Sequence, residues 1–150
     1  MDRLTELLNN AQAYASEMRL PYKGALKPAE AYEILSLSPT AKLVDIRSRA
    51  ELVWVGRIPC AIEIEWMGYP GNQPNPDFIE QLRRHTDKDA IVMLICRIGT
   101  RSHKAASLAV EEGFSNCYNV LEGFEGDLDP ATGQRGRVNG WRRADLPWKS

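Results

Sequence analysis

The sequence of 150 residues has few of the features that mark membrane, secreted or nucleic-acid-binding proteins. It has no apolar run near the roughly 20 residues that cross a bilayer, and its first residues form no apolar signal-peptide segment. Neither sign of charge is in excess, because the sequence has 19 basic and 20 acidic residues and a formal net charge of -1. We therefore expect a cytoplasmic protein with no membrane or nucleic-acid partner.

Cysteine is scarce as well, and its three occurrences are Cys60, Cys96 and Cys117. Their number is odd and none lies in a Cys-x-x-Cys pair, so the pattern indicates neither a disulfide framework nor a zinc site. We expect free thiols and no bound metal. Cys117 alternates with apolar neighbours, which predicts a core position. For Cys60 we favour a structural role over a role in resolving a sulfur intermediate.

Apolar spacing predicts helices that alternate with strands along one domain. Helices are predicted at residues 4–18, 28–35, 77–85 and 102–112, strands at 42–46, 60–66, 90–95 and 116–121, and a turn or short segment at 53–56. This alternation predicts an α/β fold in which helices flank both faces of a central, mostly parallel sheet.

One segment combines a cysteine with the groups that activate a thiol. It lies between the predicted strand at 90–95 and the predicted helix at 102–112, and it consists of Cys96, Arg97, Ile98, Gly99, Thr100, Arg101 and Ser102. A free thiol has a pKa of about 8.5, and cations, N–H donors and a helix N-terminus all favour its reactive thiolate. A cysteine after a buried strand is most often inert, but the arginines, the glycine and the hydroxyls of this segment favour a catalytic thiol.

The pattern Cys-Arg-x-Gly-x-Arg-Ser between a strand and a helix resembles the active-site loop of single-domain rhodanese-type sulfurtransferases. Other stretches are similar to the same family, namely Leu43–Arg47 with Glu51, Gly56–Ala61, Val120–Gly123 and Asn139–Trp148. The resemblance covers about residues 27–148. It implies a rhodanese-like three-layer domain at residues 27–150, and we expect residues 1–26 to be an N-terminal helix and connection that pack on this domain.

The resemblance implies a thiosulfate sulfurtransferase. The Cys96 thiolate would take sulfane sulfur from a small donor such as thiosulfate, and the persulfide would pass it to a thiophilic acceptor such as cyanide, a thiol or a protein. Arg97 and Arg101 would hold an anionic donor, while the loop N–H groups and the hydroxyls of Thr100 and Ser102 would stabilise the sulfur. No cofactor is implied.

Two alternative functions also use a cysteine in a loop of this kind. A Cys-dependent phosphatase or arsenate reductase also has a cysteine in an arginine-bearing anion loop, but the related phosphatases have five residues between the two, whereas four separate Cys96 from Arg101. A non-enzymatic persulfide carrier or interaction module would have the loop unchanged, and turnover distinguishes it from an enzyme.

Several residues outside the loop are interpreted as structural. Asp45, Arg47 and Glu51 are expected to support the site through an ion pair or a turn bond. Residues 127–138 are interpreted as a surface insertion that could border the site. The residues predicted to anchor packing are Trp54, Trp66, Trp141 and Trp148.

Overall fold

A computed structural model describes all 150 residues and contains five strands and five helices. The strands are β1 (Gly24–Leu26), β2 (Lys42–Asp45), β3 (Ile62–Glu63), β4 (Val92–Ile95) and β5 (Cys117–Val120). The helices are α1 (Arg3–Glu17), α2 (Pro28–Leu37), α3 (Arg49–Val55), α4 (Phe78–His85) and α5 (Thr100–Glu111). The strands form one sheet in the order β1-β5-β4-β2-β3, and every pairing is parallel. This confirms the predicted α/β fold with a parallel central sheet.

Two apolar clusters, one on each face of the sheet, form the core. Val92, Leu94 and Cys96 pack with buried residues of α4 and α5, whereas Met93 and Ile95 pack with buried residues of α1 and α2. Successive side chains of a strand point to opposite faces, so a strand covered on both sides needs a continuous apolar run. None of the helices is long and apolar enough to cross a bilayer.

Three elements differ from the sequence prediction. The strand β1 is absent from the predicted elements because three residues are too few to show a period, and its pairing with β5 defines it. The predicted turn at 53–56 is wrong, because its first three residues end α3, a helix that begins with a capping box between Ser48 and Glu51. The predicted strand at 60–66 is longer than β3, which lies at the sheet edge and pairs only with β2.

The sheet order brings the carboxyl ends of β2 and β4 together at a reversal of chain direction. The chain leaves β2 for β3 at one edge of the sheet, whereas it leaves β4 for β5 on the other side. Open parallel sheets bind ligands in the crevice outside the carboxyl ends of the strands at such a point. The segments that follow Asp45 and Ile95 therefore meet where a site is expected.

Candidate active site

The sulfur atom of Cys96 lies in a cradle of hydrogen-bond donors directly after β4. The residue is fully buried. Its Sγ accepts hydrogen bonds from the backbone N–H groups of Gly99 at 3.1 Å and Ser102 at 3.3 Å, and the Ser102 Oγ lies 3.3 Å away. Gly99 precedes α5 and has a φ of 99°, a backbone conformation that residues with a Cβ rarely adopt. Because the N–H donors and the N-terminus of α5 both favour negative charge, this cradle suits a thiolate.

The segment after β5 holds the loop in place from outside. The N–H of Phe124 donates to the carbonyl of Cys96 at 2.8 Å, and the N–H of Glu125 donates to the carbonyl of Arg97 at 2.9 Å. A Cβ on Gly123 would lie 2.5 Å from the Arg97 carbonyl group, so only glycine permits this approach. The shape of the loop therefore depends on a residue distant in the sequence.

The two arginines of the loop have different environments. Arg101 forms a bidentate pair with Glu51, with N–O distances of 2.7 and 2.8 Å. Burial acts against both charges, but the pair overcomes it, so the pKa of Arg101 is raised and the pKa of Glu51 is lowered. Arg97 is exposed and has no carboxylate within ion-pair distance. Arg97 is thus the loop cation whose charge is not already paired.

A second ion pair, between Arg47 and Asp45, supports the segments next to the loop. Arg47 and Asp45 are both buried, and the guanidinium contacts the carboxylate at 2.7 Å through Nη2. The same Nη2 donates to the carbonyl of Gly56 at 2.9 Å, and the guanidinium lies 4.0 Å from the centre of the Phe124 ring. Arg47 therefore connects the end of β2 to the end of α3 and to the segment that holds the loop.

A cavity of about 610 Å³ opens in front of the loop. Ile98 and the exposed Thr100 line it, and Thr100 makes no side-chain bond to the sulfur. Trp54 and Tyr69 stand at its wall, 69% and 60% exposed, with their rings edge to face at 5.2 Å. The predicted packing role of Trp54 is wrong, because its side chain lies at the surface, whereas Trp141 is fully buried as predicted.

A buried polar chain behind the sulfur is absent from the sequence prediction. Asn119 in β5 accepts a hydrogen bond from the Ser102 hydroxyl and donates to the hydroxyl of Tyr22, which contacts Nδ1 of His103 at 2.8 Å. An asparagine inside an apolar strand is unusual, and this is the one signal that could have identified it. Nothing local marks Tyr22, because both of its side-chain hydrogen bonds are to residues distant in the sequence.

The remaining candidates lie away from the sulfur. Cys60 is exposed and does not line the cavity, and Cys117 lies in the core as predicted, where burial raises the pKa of its thiol to about 12. No residue of the 127–138 segment lines the cavity, although Glu125 beside it does. No three His, Cys, Asp or Glu side chains are grouped as metal ligands would be.

One family model matches most of the chain, and several known proteins are similar to it. The rhodanese-like domain matches residues 27–128. Uncharacterized protein RP600 homolog of Rickettsia rickettsii is 37% identical over 122 residues, which are 80% of this chain and 92% of that protein. Thiosulfate sulfurtransferase GlpE of Pseudomonas entomophila is 35% identical over 85 residues, which are 57% of this chain and 68% of GlpE. The crystal structure of Rv0390 from M. tuberculosis has a TM-score of 0.77 and 40% identity, and the match covers 85% of this chain and 98% of that chain.

Proposed function

The chain belongs to the rhodanese-like domain family, and we propose that it is a thiosulfate sulfurtransferase whose sulfur carrier is Cys96. The observation that carries the proposal is the position of the Cys96 Sγ, which accepts two backbone N–H groups at the N-terminus of α5. Donors of this kind favour the thiolate, which is the nucleophilic form of the residue.

In the first step the Cys96 thiolate attacks the outer sulfur of thiosulfate. A new S–S bond forms at Cys96, the S–S bond of the donor breaks, and sulfite leaves with the electron pair. Arg97 is exposed, has no carboxylate partner and lines the cavity in front of the loop, so it attracts the anionic donor. Arg101 contributes less charge because Glu51 pairs with it.

In the second step an acceptor attacks the outer sulfur of the Cys96 persulfide. The S–S bond breaks, the thiolate returns, and the acceptor leaves with the sulfur, cyanide as thiocyanate and a thiol as a new persulfide. The N–H groups of Gly99 and Ser102 stabilise the returning thiolate in the way that an oxyanion hole stabilises oxygen. The cavity in front of the loop holds many times the volume of one water molecule, so it has room for an acceptor larger than cyanide.

Intact-mass measurement before and after incubation with thiosulfate tests the carrier. We expect the wild-type protein to gain one sulfur atom, to lose it on addition of cyanide, and the Cys96→Ser variant to gain none. Cys60→Ser is the matched control, because Cys60 is an exposed thiol outside the cavity, and it should gain sulfur like the wild type.

Persistence of the mass gain in Cys96→Ser would refute Cys96 as the carrier. A wild-type protein that gains no sulfur from thiosulfate or from another sulfane donor would refute sulfur transfer itself. Repeated formation of thiocyanate by one protein molecule distinguishes an enzyme from a carrier that loads once.

A further inference from the structure

The hydroxyl of Ser102 lies between two groups that both need its single proton. On one side is the Sγ of Cys96 at 3.3 Å, and on the other is the Oδ1 of Asn119 at 2.5 Å. All three residues are buried, with Asn119 only 2% exposed. A serine hydroxyl has one proton to donate, and a carboxamide oxygen can only accept. In this arrangement Ser102 donates to Asn119, and toward the sulfur it can only accept.

The orientation of the Asn119 amide follows from its other two contacts. Its Nδ2 lies 3.2 Å from the carbonyl oxygen of Gly99, which can only accept, so the nitrogen must face that carbonyl. The same nitrogen donates to the Tyr22 hydroxyl at 3.1 Å. The contact with the Gly99 carbonyl therefore turns Oδ1 toward Ser102, and the contact with the Tyr22 hydroxyl is compatible with that orientation. The amide could rotate only by setting Oδ1 against the Gly99 carbonyl.

Tyr22 completes this orientation from outside the matched family region, which begins at residue 27. Its oxygen accepts from Asn119 and lies 2.8 Å from Nδ1 of His103, which accepts the hydroxyl proton when the ring carries its hydrogen on Nε2. Burial raises the pKa of Tyr22, so the hydroxyl retains that proton. Around His103 the charged or titratable side chains that line the adjoining cavity are Tyr14, Tyr22 and Lys104.

We propose that Asn119 is a positioning residue that competes with the Cys96 sulfur for the Ser102 proton and thereby disfavours the thiolate, with Tyr22 holding Asn119 in the competing orientation. When Cys96 ionises, a charge-assisted bond draws the Ser102 hydroxyl to the sulfur. The buried Oδ1 of Asn119 then loses its donor, and the cost of that unpaired acceptor opposes ionisation. This inference rests on the proposed function in that Cys96 is the reactive thiol.

The pH dependence of Cys96 alkylation by iodoacetamide tests the competition, because only the thiolate reacts. The experiment uses a Cys60→Ser background, and the peptide that contains Cys96 is followed by mass spectrometry. If burial slows the access of iodoacetamide to Cys96, the alkylation rate falls by the same factor at every pH. The pH at which the rate is half-maximal does not change, so this midpoint reports the ionisation of the thiol. We expect Asn119→Leu, which removes the acceptor, to lower the midpoint by about one pH unit, a tenfold gain in thiolate below it.

Two further variants test the direction in which the midpoint moves, and a third is a control. Asn119→Asp keeps the acceptor and adds negative charge, so it should raise the midpoint. Tyr22→Phe removes one of the two contacts that orient the amide, while the contact to the Gly99 carbonyl remains, so it should lower the midpoint by less than Asn119→Leu does. Tyr118→Phe is the control, because it also removes a tyrosine hydroxyl that bonds one side-chain amide, that of Gln12. Tyr118 packs in the cluster on the opposite face of the sheet, so this variant should leave the midpoint unchanged.

An Asn119→Leu protein that unfolds cooperatively and has an unchanged or raised midpoint would overturn the proposal. If Asn119→Leu does not fold, Tyr22→Phe decides in its place, since a midpoint equal to that of Tyr118→Phe would overturn the proposal. Alkylation needs no sulfur donor. A wild-type protein that gains no sulfur therefore refutes the proposed function alone, and an unmoved midpoint in a protein that does gain sulfur refutes the competition alone.

Discussion

Glu51 joins two parts of the site through one carboxylate. Its Oε1 accepts from the N–H and the hydroxyl of Ser48, which caps α3, and both of its oxygens contact the guanidinium of Arg101. The bonds to Ser48 orient the carboxylate before Arg101 reaches it, so little side-chain freedom remains to be lost when the pair forms. The capping box of α3 thus also positions a loop arginine.

Glu51→Gln should destabilise the protein at neutral pH and have less effect in acid. The pKa of Glu51 is below its ordinary value of 4.5 in the folded state, so its carboxylate stabilises the fold above that value. This stabilisation is lost as the pH falls through the lower folded-state pKa. We expect a loss of about 1–2 kcal/mol near neutral pH, between the values for exposed and for buried pairs, measured by urea unfolding across the pH range.

Glu33→Gln is the matched control for this prediction. Glu33 also accepts two bonds from one guanidinium, that of Arg3, at 2.7 and 3.0 Å, but the side chains of this pair are more exposed, at 39% and 49%. Its substitution should change the unfolding midpoint little at any pH. A Glu51→Gln effect that stays constant from neutral to strongly acid pH would show that the carboxylate charge is not the cause.

The short helix α3 places its two faces in different environments. Leu52 is buried, whereas Val53 and Trp54 are 60% and 69% exposed. Trp54 lines the cavity in front of the loop and Val53 does not. A large exposed aromatic residue at the wall of such a cavity is more typical of a contact surface than of a packing anchor. Within the proposed function, this surface faces the bound acceptor.

Trp54→Ala should impair sulfur transfer to large acceptors and leave transfer to cyanide nearly unchanged. The variant removes part of an apolar wall that a thiol-bearing peptide can contact. Cyanide is too small to contact this wall while it attacks the sulfur. We expect KM for a cysteine-containing peptide to rise severalfold with kcat little changed, measured beside the cyanide assay. Val53→Ala, an exposed change on the same helix, should affect neither acceptor, and equal losses with both acceptors in Trp54→Ala would contradict this role.

At the scale of the whole molecule, α1 belongs to the same apolar core as the central strands. Leu7 and Ala11 are nearly fully buried and pack in the cluster that contains Met93, Ile95 and Tyr118. Beyond α1 the chain continues through Tyr22 into β1. The N-terminal segment therefore contributes to the core on one face of the sheet and to the polar chain behind Cys96 on the other.

Leu7→Ala should lower the free energy of unfolding by about 2–4 kcal/mol, because it removes buried methyl groups and leaves a cavity against the sheet. We expect one cooperative urea transition at a lower midpoint, with fluorescence and circular dichroism changing together. Asn10→Ala on the exposed side of the same helix should change the midpoint little. A separate early transition of α1 in Leu7→Ala would show that this helix folds apart from the rest.

Local patterns in the sequence were sufficient for most of the elements and for the loop that contains Cys96. The apolar run before Cys96 predicts a strand covered on both faces, and the confirmed position of that run between two clusters reflects this composition. The spacing of Cys96, Gly99 and Ser102 predicts a cradle of N–H groups, and two of those groups do face the sulfur. Such features depend on residues no more than six positions apart, so the sequence alone contains them.

Only the tertiary structure decided which distant groups meet the loop. Glu51 reaches Arg101 across 50 positions in the chain, and Tyr22 reaches Asn119 across 97. These pairs depend on the order and parallel register of the strands, which set which carboxyl ends lie side by side. The exposure of Trp54 likewise depends on how α3 packs. The sequence by itself determined the backbone donors around the Cys96 sulfur, and packing between remote segments decided which side chains surround them, because no local pattern encodes a contact made across the sheet.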